Sequence, residues 1–231
     1  MVYPIRLYGD PVLRRKARPV EDFSGIKRLA EDMLETMFEA KGVGLAAPQI
    51  GLSQRLFVAV EYADEPEGEE ERPLRELVRR VYVVANPVIT YREGLVEGTE
   101  GCLSLPGLYS EEVPRAERIR VEYQDEEGRG RVLELEGYMA RVFQHEIDHL
   151  DGILFFERLP KPKREAFLEA NRAELVRFQK EARALLKDLS QGWGWPSSAP
   201  PSGPSPCWTP YASATRWSWW SPSPTSPRAG A

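Results

Sequence analysis

The sequence is poor in the two side chains that most often bind transition metals or act as nucleophiles. It contains only two cysteines and two histidines among 231 residues. A framework of several disulfides is therefore excluded. The cysteines are Cys102 and Cys207, and both histidines fall within one short segment, as His145 and His149. Histidine is thus not used as a general surface residue, and its concentration in one place indicates a specific role.

Long apolar runs are also missing. No stretch approaches the roughly 18 consecutive apolar residues of a membrane-spanning helix. The first twenty or so residues (MVYPIRLYGDPVLRRKARPVEDF) lack the apolar core of a secretory signal. We therefore expect a cytoplasmic protein that has no membrane partner.

Acidic residues are absent from the segment 191–231, where the composition changes abruptly. This segment holds all six tryptophans and nine of the 20 prolines. A Pro/Ser/Gly-rich segment without apolar periodicity favours neither helix nor sheet, but disordered tails are ordinarily poor in aromatic residues. We interpret 191–231 as a disordered tail produced by read-through or frameshifted translation and 1–190 as the folded domain. A Pro/Trp interaction tail is the alternative.

The charge of the domain argues against general nucleic-acid binding, DNA included. Its 36 acidic residues outnumber its 29 basic ones, because the tail holds two of the chain's 31 Lys and Arg. The segment 161–189 is the exception, with eight basic and five acidic residues. A net-positive helix on an acidic protein predicts a local contact with ribosomal RNA. The alternative is an amphipathic helix whose charges are simply solvated.

Hydrophobic periodicity predicts three helices and at least four short strands. The helices are 26–40, ending at Lys41-Gly42 where glycine can take the left-handed conformation, then 139–150 and 163–189. The strands are 56–61, 81–85, 119–123 and 132–136, and 64–80 is expected to be a solvated loop leading into a short helix. Strands in the middle and helices at both ends predict an α+β fold, with antiparallel sheets around a central metal-bearing helix.

The two histidines belong to an H-E-x-x-H pattern within the second predicted helix. Positions i and i+4 of a helix share one face, so His145 and His149 can bind one metal ion. Glu146 follows the first ligand directly and is placed to take a proton from water. Uncoordinated imidazoles would be costly on so apolar a helix, which weighs against an accidental pattern.

A catalytic metal ion needs a third protein ligand, and no third histidine exists. One candidate is a downstream glutamate, for which Glu157, Glu165 and Glu169 are available. The other is Cys102, which lies in a glycine-punctuated segment able to approach an ion closely. A Cys/His/His set would favour Fe(II), Zn, Ni or Co over Mg or Ca.

A third segment, GVGLAAPQIG at 42–51, is rich in small residues. Small residues let another backbone approach closely, and Gln49 offers a neutral amide donor. The segment lacks the Lys-Ser/Thr ending of a phosphate-binding loop. Taken alone, it predicts only a tight connection from helix to strand.

Together the three segments resemble a known family. GVGLAAPQIG, EGCLS and QHEIDHL, in this order, are similar to the three signature motifs of the peptide deformylases, and GDPVLRRKA near the start extends the likeness over 1–190. The resemblance implies an enzyme that removes the formyl group from the N-terminal formylmethionine of newly made bacterial or organellar proteins and releases formate. Formylmethionyl N-termini of nascent polypeptides would then be its substrates.

The resemblance also implies roles for particular residues. The metal ligands would be Cys102, His145 and His149, with Glu146 as general acid and base, and the native metal would be Fe(II), often replaced by zinc or nickel. The Gln49 side chain and the Leu103 backbone N–H would stabilise the oxyanion. The substrate chain would pair along Val43, Gly44 and Leu45, and Arg115 would lie near the substrate backbone, although a surface arginine after a proline is an alternative.

Two other functions fit parts of the pattern. A general metallopeptidase would use the two histidines and Glu146, would cleave internal peptide bonds and would not depend on Cys102. A non-catalytic module stabilised by metal would need neither Gln49 nor Glu146.

Overall fold

The computed structural model describes residues 1–63 and 73–191. Within these residues seven strands are formed, namely β1 (Gly44–Ala46), β2 (Leu56–Tyr62), β3 (Val78–Glu93), β4 (Val96–Cys102), β5 (Leu105–Arg115), β6 (Arg118–Gln124) and β7 (Gly130–Glu136). The α-helices are α1 (Ile26–Glu39), α2 (Gly137–Leu150), α3 (Lys161–Ala170) and α4 (Arg172–Ser190), and short 3-10 helices cover Pro11–Arg14, Ala47–Ile50, Leu74–Leu77 and Phe155–Arg158.

The strands form two antiparallel sheets. Five strands pair in the order β1-β2-β3-β6-β7, and β4 pairs with β5 in a second sheet. Each of the four predicted strands is present, and the α+β prediction is confirmed. The predicted strand 81–85 lies in the first half of the much longer β3, which pairs with β2 through that half and with β6 through its second.

Helix α2 lies at the centre of the molecule. Val142, Phe143 and Leu150 are fully buried in the core that α2 shares with the five-stranded sheet. Phe143 packs edge-on against both Phe57 of β2 and Tyr82 of β3. The period of these apolar positions therefore fixes which side of α2 meets the sheet, and the remaining side is left for the polar residues of the helix.

The first helix ends differently from the sequence prediction. Lys41, not Gly42, takes the left-handed conformation, with a φ of 56°. The N–H of Gly42 closes the helix by donating to the Met37 carbonyl. Gly42 is needed for another reason: a Cβ there would lie 2.7 Å from Cδ1 of Leu103. Glycine is thus needed at position 42 because the Leu103 side chain packs closely against it, and not because of its backbone conformation.

The C-terminal helix is two helices, which corrects the prediction of one helix over 163–189. Asn171 separates α3 from α4, and its side-chain amide donates to the Phe167 carbonyl at the end of α3. Ser190 ends α4, and Gln191 follows as its C-terminal cap. The rest of the predicted tail, 192–231, and residues 64–72 of the predicted loop at 64–80 lie outside the described residues. The short helix expected at the end of that loop is the 3-10 helix Leu74–Leu77, but 78–80 already belong to β3. Across the parts that are described, no helix combines the length and apolarity needed to cross a bilayer.

Candidate metal centre and active site

The two histidines lie side by side on the polar side of α2. Their ring centroids are 4.9 Å apart, and the side chains are almost completely buried, with His145 3% and His149 1% exposed. The helical spacing of four residues brings both rings to one face. Burial of two imidazoles on an otherwise well-packed helix requires partners for their nitrogens.

The third member of the cluster comes from the small sheet. Cys102 ends β4, and its Sγ lies 3.3 Å from Nε2 of His149. One ligand atom each from Cys102, His145 and His149 lie within 4.8 Å of one another. A bulge between Gly101 and Cys102 shifts the register of β4 and β5 beside the thiol. Among the described residues, no other group of three or more possible ligands is found, so the downstream glutamates do not join this site.

Glu100 determines how His145 faces the cluster. Its Oε1 lies 2.8 Å from Nδ1 of His145, which leaves Nε2 of that ring for the cluster. Arg115 donates to both oxygens of Glu100 at 2.8 Å. Burial by itself would raise the pKa of Glu100, but the charge and hydrogen bonds of Arg115 and His145 outweigh it and hold that pKa well below its usual range. Glu100 is therefore an ionised acceptor that fixes the ring of His145.

Arg115 does not occupy the position expected of a substrate-binding residue or of a surface arginine. It is 5% exposed, and its third nitrogen, Nη1, donates to Asp148 of α2. Asp148 in turn accepts two hydrogen bonds from Arg158. All three guanidinium nitrogens of Arg115 thus donate to buried carboxylates. The side chain holds Glu100 and Asp148 in place and does not face a substrate.

Glu146 lies beside the cluster with one oxygen free of protein partners. The side chain is 2% exposed, and within the described residues its Oε2 has no hydrogen-bond partner. Burial raises the pKa of Glu146 to about 7, with opposing contributions from the charges of His145 and Arg115. A buried carboxyl group with an unused oxygen costs free energy unless it has a ligand or water to bind. The free oxygen of Glu146 is therefore a place for a ligand or water beside the cluster.

Gln49 and Leu103 approach the cluster from two different segments. The Oε1 of Gln49 accepts from the Ala46 N–H, which directs Nε2 towards Ser104 Oγ at 3.1 Å and Cys102 Sγ at 3.6 Å. Leu103 lies between Cys102 and Ser104, in the turn from β4 to β5, and its side chain is in close contact with Gly42. Both predicted oxyanion donors are therefore brought next to the thiol.

The predicted peptide-binding segment is an edge strand. Gly44 and Leu45 pair with Ala59 and Val58 of β2, and β1 has no strand on its other side among those the structure describes. The side chains of Val43 and Leu45 are buried, at 1% and 0% exposure. What β1 can offer a ligand is therefore its backbone, which would bind an extended chain without regard to sequence.

Gly44 leaves the space that Glu146 occupies. A Cβ on Gly44 would lie 2.5 Å from Oε1 of Glu146. Gly44→Ala should therefore displace the carboxylate and lower kcat/KM about a hundredfold, as expected for a reacting group misplaced by about 1 Å. The catalytic rate measures the loss, and thermal unfolding shows whether the variant keeps its fold. Gly25→Ala is the control, because a Cβ there meets nothing within 4 Å; a fully active Gly44→Ala variant would contradict this account of Glu146.

Two imidazoles from one helical turn, a cysteine sulfur and a carboxyl group whose Oε2 has no partner among the described residues define the class of the site: a metal-dependent hydrolase. The family model for polypeptide deformylase matches residues 2–165. The peptide deformylase of Alkalilimnicola ehrlichii is 49% identical over 164 residues, 71% of this chain and 85% of that protein. The chain belongs to the polypeptide deformylase family, whose members are metal-dependent hydrolases that remove N-terminal formyl groups.

Solved structures agree with this assignment. The crystal structure of peptide deformylase from Thermus thermophilus has 93% sequence identity and a TM-score of 0.73, covering 79% of this chain and 100% of that one. A peptide deformylase from Legionella pneumophila has 38% identity and a TM-score of 0.63, covering 80% of this chain and 98% of that one.

Sequence reasoning assigned no role to Glu100, Ser104 and Asp148. Each stands within two residues of a predicted ligand, in EGCLS or HEIDH, and each is buried. A charged residue so close to a buried ligand must itself find a partner. That proximity was the available signal, although it did not identify which distant residue the partner would be.

Proposed function

We propose that Cys102, His145 and His149 hold a divalent metal ion and that Glu146 uses it to hydrolyse the formyl group of N-terminal formylmethionine. The observation that carries this proposal is the buried cluster of three ligand atoms beside the partnerless Oε2 of Glu146. With these three residues holding the ion, water or substrate would still be able to bind it, as catalytic sites require. A thiolate with two imidazoles fits Fe(II), which we propose as the native metal, and also Zn, Ni or Co.

The metal, when bound, supplies Lewis acidity towards water and the formyl carbonyl. Glu146 accepts the proton of the attacking water through its free carboxylate oxygen and later gives it to the departing amine. The hydroxide adds to the formyl carbon, the C–N bond breaks, and formate and a free methionine amine remain. Burial of Glu146 keeps bulk water away from the proton in transfer.

Gln49 and Leu103 are proposed to stabilise the developing oxyanion. The anchored Oε1 of Gln49 keeps the amide oriented, so that Nε2 remains a donor on the side of the cluster. The Leu103 backbone N–H would be the second donor, and a preorganised donor of this kind is worth roughly 10²–10³ in kcat. The nascent chain would add to the free edge of β1 through backbone bonds, and Val43, Gly44 and Leu45 would give a grip independent of sequence.

Formate release by anaerobically purified, metal-assayed protein tests the proposal. The peptides are formyl-Met-Ala-Ser, acetyl-Met-Ala-Ser, and a longer peptide with an internal methionine. We expect formate from the first and little reaction with the other two. Cleavage of internal bonds would favour a metallopeptidase, and metal binding without any hydrolysis would favour a non-catalytic module.

We propose that 1–190 is the catalytic domain and that 191–231 is a read-through or frameshift product. Two observations support the boundary. Helix α4 ends at Ser190, and the alignment with the Thermus thermophilus structure covers all of that chain but only 79% of this one. Intact-mass measurement of protein from its natural source is the test. A mass near the full 26.3 kDa would contradict the read-through hypothesis.

A cytoplasmic location and a ribosome contact through α4 complete the proposal. Several basic residues of α3 and α4 already have acidic partners: Lys163 binds Glu97 and Glu112, and Arg172 binds Glu169. No ion pair within 1–63 and 73–191 engages Lys180, Arg183 or Lys187, and all three are exposed. Their spacing of three and four places them on one side of α4, forming a basic stripe.

Replacing Lys180, Arg183 and Lys187 by Gln should abolish salt-sensitive co-sedimentation with ribosomes. Removing one bond to a phosphate lowers the dependence of log affinity on log salt by about one unit. The control replaces Lys161, Arg172 and Arg177, which removes the same charge from residues already paired with acids. Equal binding of both variants, or no binding of the wild type at low salt, would contradict the contact.

A further inference from the structure

Arg141 is a partly buried arginine on α2, one helical turn before His145, that no step of the proposed reaction uses. We propose that it is a positioning residue: through Glu100 it fixes the ring of His145, and it sets the distance between α2 and the sheet that carries Cys102. The inference rests on the proposed metal site. It concerns how that site is held together and adds no ligand to it.

The contacts of Arg141 join three parts of the molecule. Its Nη1 donates to Glu100 Oε2 and to the Val113 carbonyl of β5, and its Nη2 donates to the Val96 carbonyl of β4, all at 2.8 Å. The side chain is 11% exposed. One side chain from the histidine helix is therefore bonded to both strands of the cysteine sheet.

Arg141 also completes the set of donors around Glu100. Oε1 of that carboxylate faces His145 Nδ1 and Arg115 Nη2, while Oε2 accepts from Arg115 Nε and Arg141 Nη1. Four donors leave the carboxylate one orientation. Without Arg141, Oε2 keeps a single donor, and the group that orients His145 depends on Arg115 alone, which Asp148 also engages. A carboxylate that orients a metal-binding histidine typically controls metal affinity.

The strand is shaped to admit this guanidinium. A Cβ on Gly98 would lie 2.8 Å from Arg141 Nη2. A bulge between Gly98 and Glu100 interrupts the pairing of β4 with β5 at the same place. Bulges commonly redirect a side chain next to a functional site. In β4 the bulge lies between Gly98, which leaves room for the guanidinium of Arg141, and Glu100, whose carboxylate accepts a hydrogen bond from it.

Arg55 provides a matched control. Its Nη1 donates to the Leu150 carbonyl and to Asp151 at the other end of α2, and its side chain is 14% exposed. Arg55→Met thus removes the same kind of bonds from the same helix without touching Glu100. Loss of stability alone should affect Arg55→Met and Arg141→Met alike, whereas loss of positioning should affect only Arg141→Met.

The experiment loads wild type, Arg141→Met and Arg55→Met with Co(II). Affinity is measured by competition with a chelator, and geometry by the thiolate-to-cobalt absorption band. We expect Arg141→Met to lose about tenfold in Co(II) affinity, the lower end for residues that orient ligands, to shift the band, and to lower kcat with little change in KM. Arg55→Met should lower Tm while affinity and band stay at their wild-type values.

Two further variants protect the test against a poorly folded Arg141→Met. Arg141→Lys retains a donor and should restore part of the affinity. Gly98→Ala displaces the guanidinium of Arg141 without changing its chemistry. It should lower Co(II) affinity when Arg141 is present, but should have no further effect when combined with Arg141→Met. If none of these variants changes affinity or band while wild type binds Co(II), the positioning role is overturned and the proposed function stands. If wild type binds no Co(II), the proposed function itself fails.

Discussion

Glu146→Gln should abolish formate release while leaving the metal in place. The amide has the size of the carboxyl group but cannot accept a proton from water, so we expect kcat to fall about a thousandfold or more. The substitution should not unfold the protein, because Oε2 of Glu146 has no protein hydrogen bond to lose within the described residues. The measurement is formate release per bound metal ion.

Glu146→Asp separates charge from position. It retains the carboxylate but withdraws it by one methylene from the place it occupies against Gly44. We expect it to be nearly as inactive as Glu146→Gln, because proton transfer requires a carboxylate within hydrogen-bond reach of the water. A Glu146→Gln variant that holds metal and keeps more than a tenth of the wild-type rate would show that another group is the base.

Cys102→Ser should release the metal. A serine hydroxyl is a far poorer ligand than a thiolate, and the two imidazoles of α2 would remain as the only strong donors. Changes in residues that merely orient ligands cost about 10- to 100-fold in metal affinity, so loss of a ligand should cost at least about a hundredfold. Competition with a chelator, followed by metal analysis, measures this loss.

The two candidate enzymes predict opposite results for Cys102→Ser. A deformylase should lose formate release along with its metal, whereas a metallopeptidase with a glutamate as third ligand should keep both its metal and its cleavage of internal peptide bonds. Thermal unfolding of the metal-free proteins is the control, because Cys102 has few polar contacts to lose: its Sγ receives one long contact from Gln49 and faces His149. Wild-type metal affinity in Cys102→Ser would place the third ligand elsewhere.

The helix that carries the histidines could be predicted in detail from sequence. Its apolar positions repeat with helical period, and the H-E-x-x-H spacing indicates a shared face, so α2 and its chemistry follow from local rules. The likeness of three motifs then brought Gln49 and Cys102 into the same site. Local pattern and family resemblance together therefore named the three possible ligands, Cys102, His145 and His149, that the structure brings together.

What depends on distant partners could not be predicted. Arg115 looks like a surface arginine after a proline, and only the fold reveals that Glu100 and Asp148 converge on it. Strands β4 and β5 were not predicted, because two bulges break the alternation of inward and outward side chains along them. The break between α3 and α4 has no proline or glycine: Asn171 ends α3 by bonding the Phe167 carbonyl, while the apolar period continues past it.

The ligands of the proposed metal centre belong to elements that meet only in the finished fold. His145 and His149 are neighbours on α2, but Cys102 stands on a sheet that reaches them only once β4 and β5 have docked against that helix. Helix α2 alone offers an ion two imidazoles and no sulfur, and in an unfolded chain the sulfur of Cys102 is separated from the imidazoles by more than forty residues. Metal capture is therefore a late event in folding, and refolding should be no faster with metal present than without it.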